Sequence, residues 1–79
     1  MSIQVLFFGA TADIVGTRNS AIEIADETRA SQIVDAIVSD HPALARHKLL
    51  FAVNQEYVAG DTQINDGDEL AIFTAVSGG

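Results

Sequence analysis

Apolar side chains recur along this chain with two different periods. From Ile3 to Phe8 they form a run of β-formers, and from Ser20 to Ala25 the alternation sets Ile22 and Ile24 on one face; both stretches predict strands. Between them GATADIVGTRN is a long connection, with Gly9 and Gly16 free to take unusual dihedrals and room for one helical turn around Asp13 to Val15. In RASQIVDAIVSD the period changes: Ile33, Val34, Ile37 and Val38 share one helical face while Asp35 and Asp40 turn away. This predicts an amphipathic helix over Arg29–Asp40, with Thr28 standing before it in the place of an N-cap and Pro42 stopping it.

After a connection containing Ala43 to His47, LLFAV is a further apolar run, and Asn54-Gln55-Glu56 predicts a turn into Tyr57 and Val58. Asn65-Asp66-Gly67-Asp68 is a turn signal leading into a last strand from Glu69 to Ala75. Two strands, one helix and two or three more strands, with no repeat or linker, predict a single α+β domain over residues 1–79. A β-grasp is the most economical arrangement: a mixed sheet with one main helix packed on one face.

Strand alternation then has a consequence for the uncovered face. If Ile3, Val5 and Phe7 point to the helix, Leu6 and Phe8 point away from it; if Leu70 and Ile72 point inward, Ala71 and Phe73 point outward. One helix covers one face, so Leu6, Phe8, Ala71 and Phe73 form either a partner-binding patch or a set of incidentally exposed side chains.

With 79 residues the domain buries only about 60% of the surface that its unfolded chain exposes. It contains no cysteine, hence no disulfide and no thiolate metal site, so packing must stabilise it. The apolar opening MSIQVLFFGA lacks a basic leading region and meets Gly9 long before a membrane-spanning length. A cytoplasmic protein without a membrane partner is expected. Eleven acids against four bases give a formal charge of −7, which suits nucleic acid poorly as a partner. Asp26/Glu27, Asp35, Asp40, Asp61 and the Asp66/Asp68/Glu69 cluster fit two readings, a solvated surface or steering towards a basic partner protein.

Self-contained chemistry is scarce. His41 and His47 lie six apart, which is not the spacing that brings two imidazoles to one helical face, and they read as surface histidines. DTQINDGDE has neither glycine nor later acid at the positions a calcium loop requires, so it reads as a turn and no metal site is expected. No glycine-rich loop with its lysine is present to bind ATP, and Ser2, Ser20, Ser31, Ser39 and Ser77 lack an evident histidine and acid around them. No bound cofactor is expected. What remains is the extended segment Ala75-Val76-Ser77-Gly78-Gly79. A terminal carboxylate is ionised at neutral pH and is a poor electrophile until another enzyme activates it. Two glycines without Cβ atoms can pass through a narrow channel into that enzyme's site. On the dipeptide alone, a reactive terminus and a plain frayed end remain equal readings.

The element order, the Gly-Gly end and the segment AVNQEYVAGDTQINDGDELAIFTAVSGG together resemble the small subunits of molybdopterin synthases, the ubiquitin-like sulfur carriers of molybdenum-cofactor biosynthesis. The likeness runs from IQVLFFGATADIVG to the end, and is most specific over Ala52–Val58 and Asp66–Glu69. It implies a ubiquitin-like β-grasp whose Gly79 is adenylated with ATP by an adenylyltransferase related to ubiquitin-activating enzymes. A sulfur-donating enzyme then converts it to a thiocarboxylate. The large synthase subunit, which holds the catalytic lysine and the pterin pocket, uses that sulfur in a heterotetramer. The resemblance thus implies a carrier that is not an enzyme by itself. Two departures stand out. Thr74-Ala75 replaces a frequent Pro-Pro, which leaves the approach to the tail less stiff. Ala12-Asp13 replaces a first-loop arginine and acid, so a contact made through that arginine is not carried over. The competing readings are a sulfur carrier for thiamine synthesis, a protein modifier linked through Gly79, and a plain interaction domain.

Overall fold

The structure is a computed structural model and describes residues 1–74. Among them the elements run β1 (Ser2–Phe7), α1 (Ala10–Val15), β2 (Asn19–Glu23), α2 (Ala30–Asp40), a 3-10 helix (Pro42–Arg46), β3 (Leu49–Val53), β4 (Glu56–Tyr57) and β5 (Glu69–Thr74). The strands form one mixed sheet in the order β2-β1-β5-β3-β4. β1 and β5 run parallel at its centre, and the other pairs are antiparallel. This is the ubiquitin-like β-grasp of the α+β class that the sequence predicts. No helix among the described residues is long and apolar enough to cross a membrane.

The core lies between one sheet face and α2. Ile3, Val5 and Phe7 of β1 and Leu70 and Ile72 of β5 are buried, as their alternation requires, and Ile33 and Val34 of α2 meet them. Ile37 and Val38, on the same stripe, are only partly covered. The helix thus leans on the sheet most heavily through its first half.

Three features differ from the sequence reading. Thr28 does not cap α2: its hydroxyl donates to the Ala25 carbonyl at 2.5 Å. The cap is Arg29, whose amide donates to Gln32 Oε1 at 2.7 Å. Loop 60–64 supplies acceptors for the next two amides, with Ala30 N–H donating to the Thr62 carbonyl and Ser31 N–H to the Gly60 carbonyl, both at 2.9 Å. The two first-turn amides that no side chain reaches are thereby satisfied by a distant loop. The connection after Pro42 is a helical turn, because Leu44 is fully buried there. Finally, α1 extends back to Ala10, beyond the single turn expected around Asp13 to Val15. Gly9 at its N-cap has φ 59° and ψ −131°, a conformation open essentially to glycine alone.

Ile64 is as deeply buried as Leu44, although no strand or helix carries it. Its amide donates to the Thr28 carbonyl at 2.9 Å, which places the loop beneath the helix start. Leu44 and Ile64 are therefore core residues in irregular segments. Leu44→Ala should lower stability by about 2–5 kcal/mol, since a fully buried leucine leaves a cavity that its neighbours only partly fill. Urea denaturation checks this; an unchanged midpoint would mean that the 3-10 helix contributes no core.

Candidate functional site

The sheet face turned away from α2 is built row by row from the register. Leu6 lies beside Ala71, Ala71 beside Ala52, and Ala52 beside Tyr57; in the next row Phe73 lies beside Leu50. Leu6, Ala71 and Phe73 are partly exposed, and Phe8 is 51% and Tyr57 76% exposed. The rings of Tyr57 and Phe73 meet edge to face with centroids 5.8 Å apart. The face thus holds all four residues that alternation assigned to it, Leu6, Phe8, Ala71 and Phe73. Leu50 and Tyr57 were missed. LLFAV by itself does not say which of its residues point where; only the pairing of Leu50 with Phe73 decides it.

At the end of β5 this apolar surface dips into a depression lined by Phe8, Gly9, Ala71, Phe73 and Thr74. Ala75, Val76, Ser77, Gly78 and Gly79, which the sequence reading assigns to the strand end and the reactive tail, lie outside the described residues. Thr74, the last described residue, stands beside the depression.

A buried hydroxyl fixes the geometry of this exit. Thr11 is fully buried, and its Oγ1 accepts the Phe8 amide at 3.0 Å. The same oxygen lies 2.7 Å from the Phe8 carbonyl and 3.0 Å from the Ile72 carbonyl, the two acceptors within reach of its single hydrogen. One side chain on α1 therefore ties the end of β1 to β5, two residues before Thr74. Beside Thr11, Ala12 lines a second depression with Leu6, Phe8, Asp13 and Arg18. Arg18 is the only cation in that lining, and it comes from the bend that precedes β2.

The two stretches on which the family resemblance was most specific meet each other away from the exit. Asn54 Nδ2 donates to Asp68 Oδ1 at 3.0 Å, and the Glu69 amide donates to Asn54 Oδ1 at 3.0 Å. Asp68 Oδ2 accepts the Asn65 amide at 2.7 Å, and Asp66 Oδ1 accepts the Ser2 amide at 2.8 Å. Asn54 and Gln55 both have positive φ, 50° and 70°, as a two-residue hairpin turn between β3 and β4 requires. Asp66 thus binds its turn to the start of β1, and Asp68 binds the same turn to Asn54 of the β3–β4 turn. The acid cluster lies at the opposite end of that strand from the exit, about 17 Å away at about 3.3 Å per residue.

The model of the ThiS family matches residues 5–79. The chain is 39% identical to the molybdopterin synthase sulfur carrier subunit of Homo sapiens, over 98% of this chain and 93% of that protein. It is 43% identical to the subunit of the same name from Escherichia coli K12, over 98% of this chain and 99% of that one. Among solved structures, a putative molybdopterin converting factor subunit 1 from Pyrococcus furiosus shares the fold at a TM-score of 0.87 and 22% identity, covering 96% of this chain and 99% of that one. Small archaeal modifier protein 1 of Haloferax volcanii superposes at 0.83 and 26% identity, over 95% of this chain and 98% of that one. A chain of the complex of subunits 1 and 2 of the molybdopterin-converting factor from Helicobacter pylori superposes at a TM-score of 0.69 and 24% identity, over the whole of both chains.

Replacing Thr11 with valine keeps the shape of the side chain and removes the oxygen that joins β1 to β5. Stability should fall by about 0.5–1.5 kcal/mol, the net worth of a hydrogen bond, because the Phe8 amide keeps the Ile72 carbonyl as an acceptor at 3.1 Å. Phe8 amide exchange should quicken at the same time. A Thr11→Val protein as stable as the parent would show that the exit does not depend on this hydroxyl.

Proposed function

The chain belongs to the ThiS family, and within it we propose that this protein is the sulfur carrier subunit of a molybdopterin synthase, with Gly79 as its reactive residue. The single observation that carries the reading is identity of 39–43% to molybdopterin synthase sulfur carrier subunits over nearly the full length of both. The geometry supports it: an apolar face leads to the point where β5 hands over to the segment ending in Gly-Gly.

In this mechanism the Gly79 carboxylate attacks the α-phosphorus of ATP in the site of a partner adenylyltransferase, and pyrophosphate leaves. A sulfur nucleophile from a donor enzyme attacks the resulting acyl-adenylate, AMP departs, and the terminus becomes a thiocarboxylate. The large subunit transfers the sulfur to a cyclic pterin monophosphate and returns the carboxylate, water supplying the oxygen. Two such rounds furnish both sulfurs of the dithiolene. ATP is consumed by the partner, and the carrier itself holds no cofactor. All three partners are soluble proteins in the cytoplasm, and the carrier docks on the large subunit through Leu6, Phe8, Ala71 and Phe73.

A second reading is favoured by the likeness to the small archaeal modifier protein: conjugation of Gly79 to a lysine of another protein. Intact mass of the protein recovered from its own cell separates the two. A thiocarboxylate adds about 16 Da, the difference between sulfur and oxygen, whereas a conjugate adds the mass of its target.

Phe73→Ala should weaken association with the large subunit by more than about 2 kcal/mol, as truncated aromatic anchors commonly do, and leave the isolated fold largely intact because Phe73 is only partly buried. Isothermal calorimetry with both partners checks it; unchanged affinity for each would remove Phe73 from the interface. Adding one alanine after Gly79 moves the reactive carbon by up to about 3.3–3.6 Å, and misplacement by about 1 Å already costs on the order of a hundredfold in rate. The extended protein should fold and bind the large subunit yet make no molybdopterin in an assay reconstituted with activating enzyme, ATP, sulfide, large subunit and pterin precursor. Equal product from both proteins would overturn the carrier assignment.

A further inference from the structure

β2 is an edge of the sheet, and its outer side is unoccupied among the described residues. Ile24 exchanges hydrogen bonds with Met1, its amide donating at 2.7 Å and its carbonyl accepting at 2.8 Å, while the Arg18 carbonyl accepts the Phe7 amide at 2.8 Å. By the two-residue alternation of an antiparallel ladder, positions 18, 20, 22 and 24 turn their backbone groups to β1, and positions 19, 21 and 23 turn theirs outward. The Asn19 carbonyl is taken by the Thr17 hydroxyl at 2.9 Å. The amides and carbonyls of Ala21 and Glu23 remain free to pair with another strand.

Directly beside this edge an apolar groove runs between β2 and α2. Its floor is Ile22, Ile24, Ile33, Ala36 and Ile37, and its volume is about 320 Å³. Asp40 stands on its rim, Glu23 lies on the adjoining edge with its side chain alternating to the other face of β2, no lysine, arginine or histidine lines the groove, and Asp26 and Glu27 follow in the chain at its end. An added strand on β2 would direct alternate side chains into the groove, where Ile22 and Ile24 already point.

We propose that this edge and groove bind an extended segment of a partner protein, with apolar residues at alternate positions and lysine or arginine flanking them. Main-chain pairing with Ala21 and Glu23 supplies the register, the groove takes the apolar side chains, and the acids on the rim and the adjoining edge select the flanking bases. Charge argues against a second copy of this chain, since pairing two β2 edges would bring Glu23 and Asp40 of both copies, each with a net charge of −7, against one another. The groove lies on the helix side of the sheet and the Leu6/Phe73 surface on the other, so both can be occupied at once. This inference is independent of the sulfur carrier reading.

The test is a titration of the isotope-labelled full chain with a short synthetic peptide in which Ile, Val and Ile alternate with Thr and each end carries Lys and Arg. Binding should shift the Ala21 and Glu23 amides and the Ile22, Ile24 and Ile37 methyls in NMR spectra, and should weaken with salt. Ala36 is exposed on α2, so Ala36→Lys should fold normally, fill the groove with a cation, and cut affinity by about tenfold or more. Glu23→Lys, on the exposed edge, provides a second variant with the same expected loss. A peptide with Glu at both ends should not bind. Shifts centred on Leu6 and Phe73, equal binding of the acidic peptide, no shifts with the basic one, or full affinity in both variants would each overturn the proposal.

Discussion

The parallel pairing of β1 with β5 is the constraint on which the other features depend. These strands come from opposite ends of the described chain, yet Val5 lies beside Leu70 and Phe7 beside Ile72 at the centre of the sheet. A parallel pair cannot be closed by a hairpin, so everything between the strands must form the crossover. The crossover supplies α2, which covers the pair from one side. Its cost is the loop-closure entropy of a long segment, offset by burying Val5, Leu70 and Ile72 completely.

That arrangement also sets where chemistry can occur. Because β5 is central, Thr74, its last described residue, lies within the sheet and not at an edge strand, and Phe8 and Phe73 line the depression beside it. In so small a domain one helix covers only one face. The second face keeps Leu6, Leu50, Tyr57 and Phe73 in partial contact with solvent, a condition tolerated where a partner covers it.

Polar residues position these surfaces without belonging to them. Thr11 joins the ends of β1 and β5 next to the exit, and Asn54 with Asp68 joins the β3–β4 turn to the start of β5. The acids of the Asp66/Asp68/Glu69 cluster had two readings, solvated surface and electrostatic steering. Their hydrogen bonds give a third role, in which Asp66 accepts the Ser2 amide at the start of β1 and Asp68 the Asn65 amide of its own turn. The stretches most useful for recognising the family are therefore partly scaffold, which the resemblance alone did not disclose.

The sequence by itself determined the strands, the main helix, the α+β class and the two-faced character of β1 and β5, because each rests on local periodicity that survives in any context. It also placed Leu6, Phe8, Ala71 and Phe73 on the uncovered face, since alternation along a strand is a local property. Only tertiary structure decided the rest. Leu44 and Ile64 sit in segments too short to show a period, so their burial depends on what packs above them. Leu50 joins the open face through pairing with Phe73, and Tyr57 through the edge-to-face contact of its ring with the same Phe73, a partner far from both in sequence. Arg29 replaces Thr28 at the helix start because loop 60–64 brings carbonyls to the free amides. In each case the deciding contact is long-range, and a one-dimensional pattern carries no record of which distant segment will supply it.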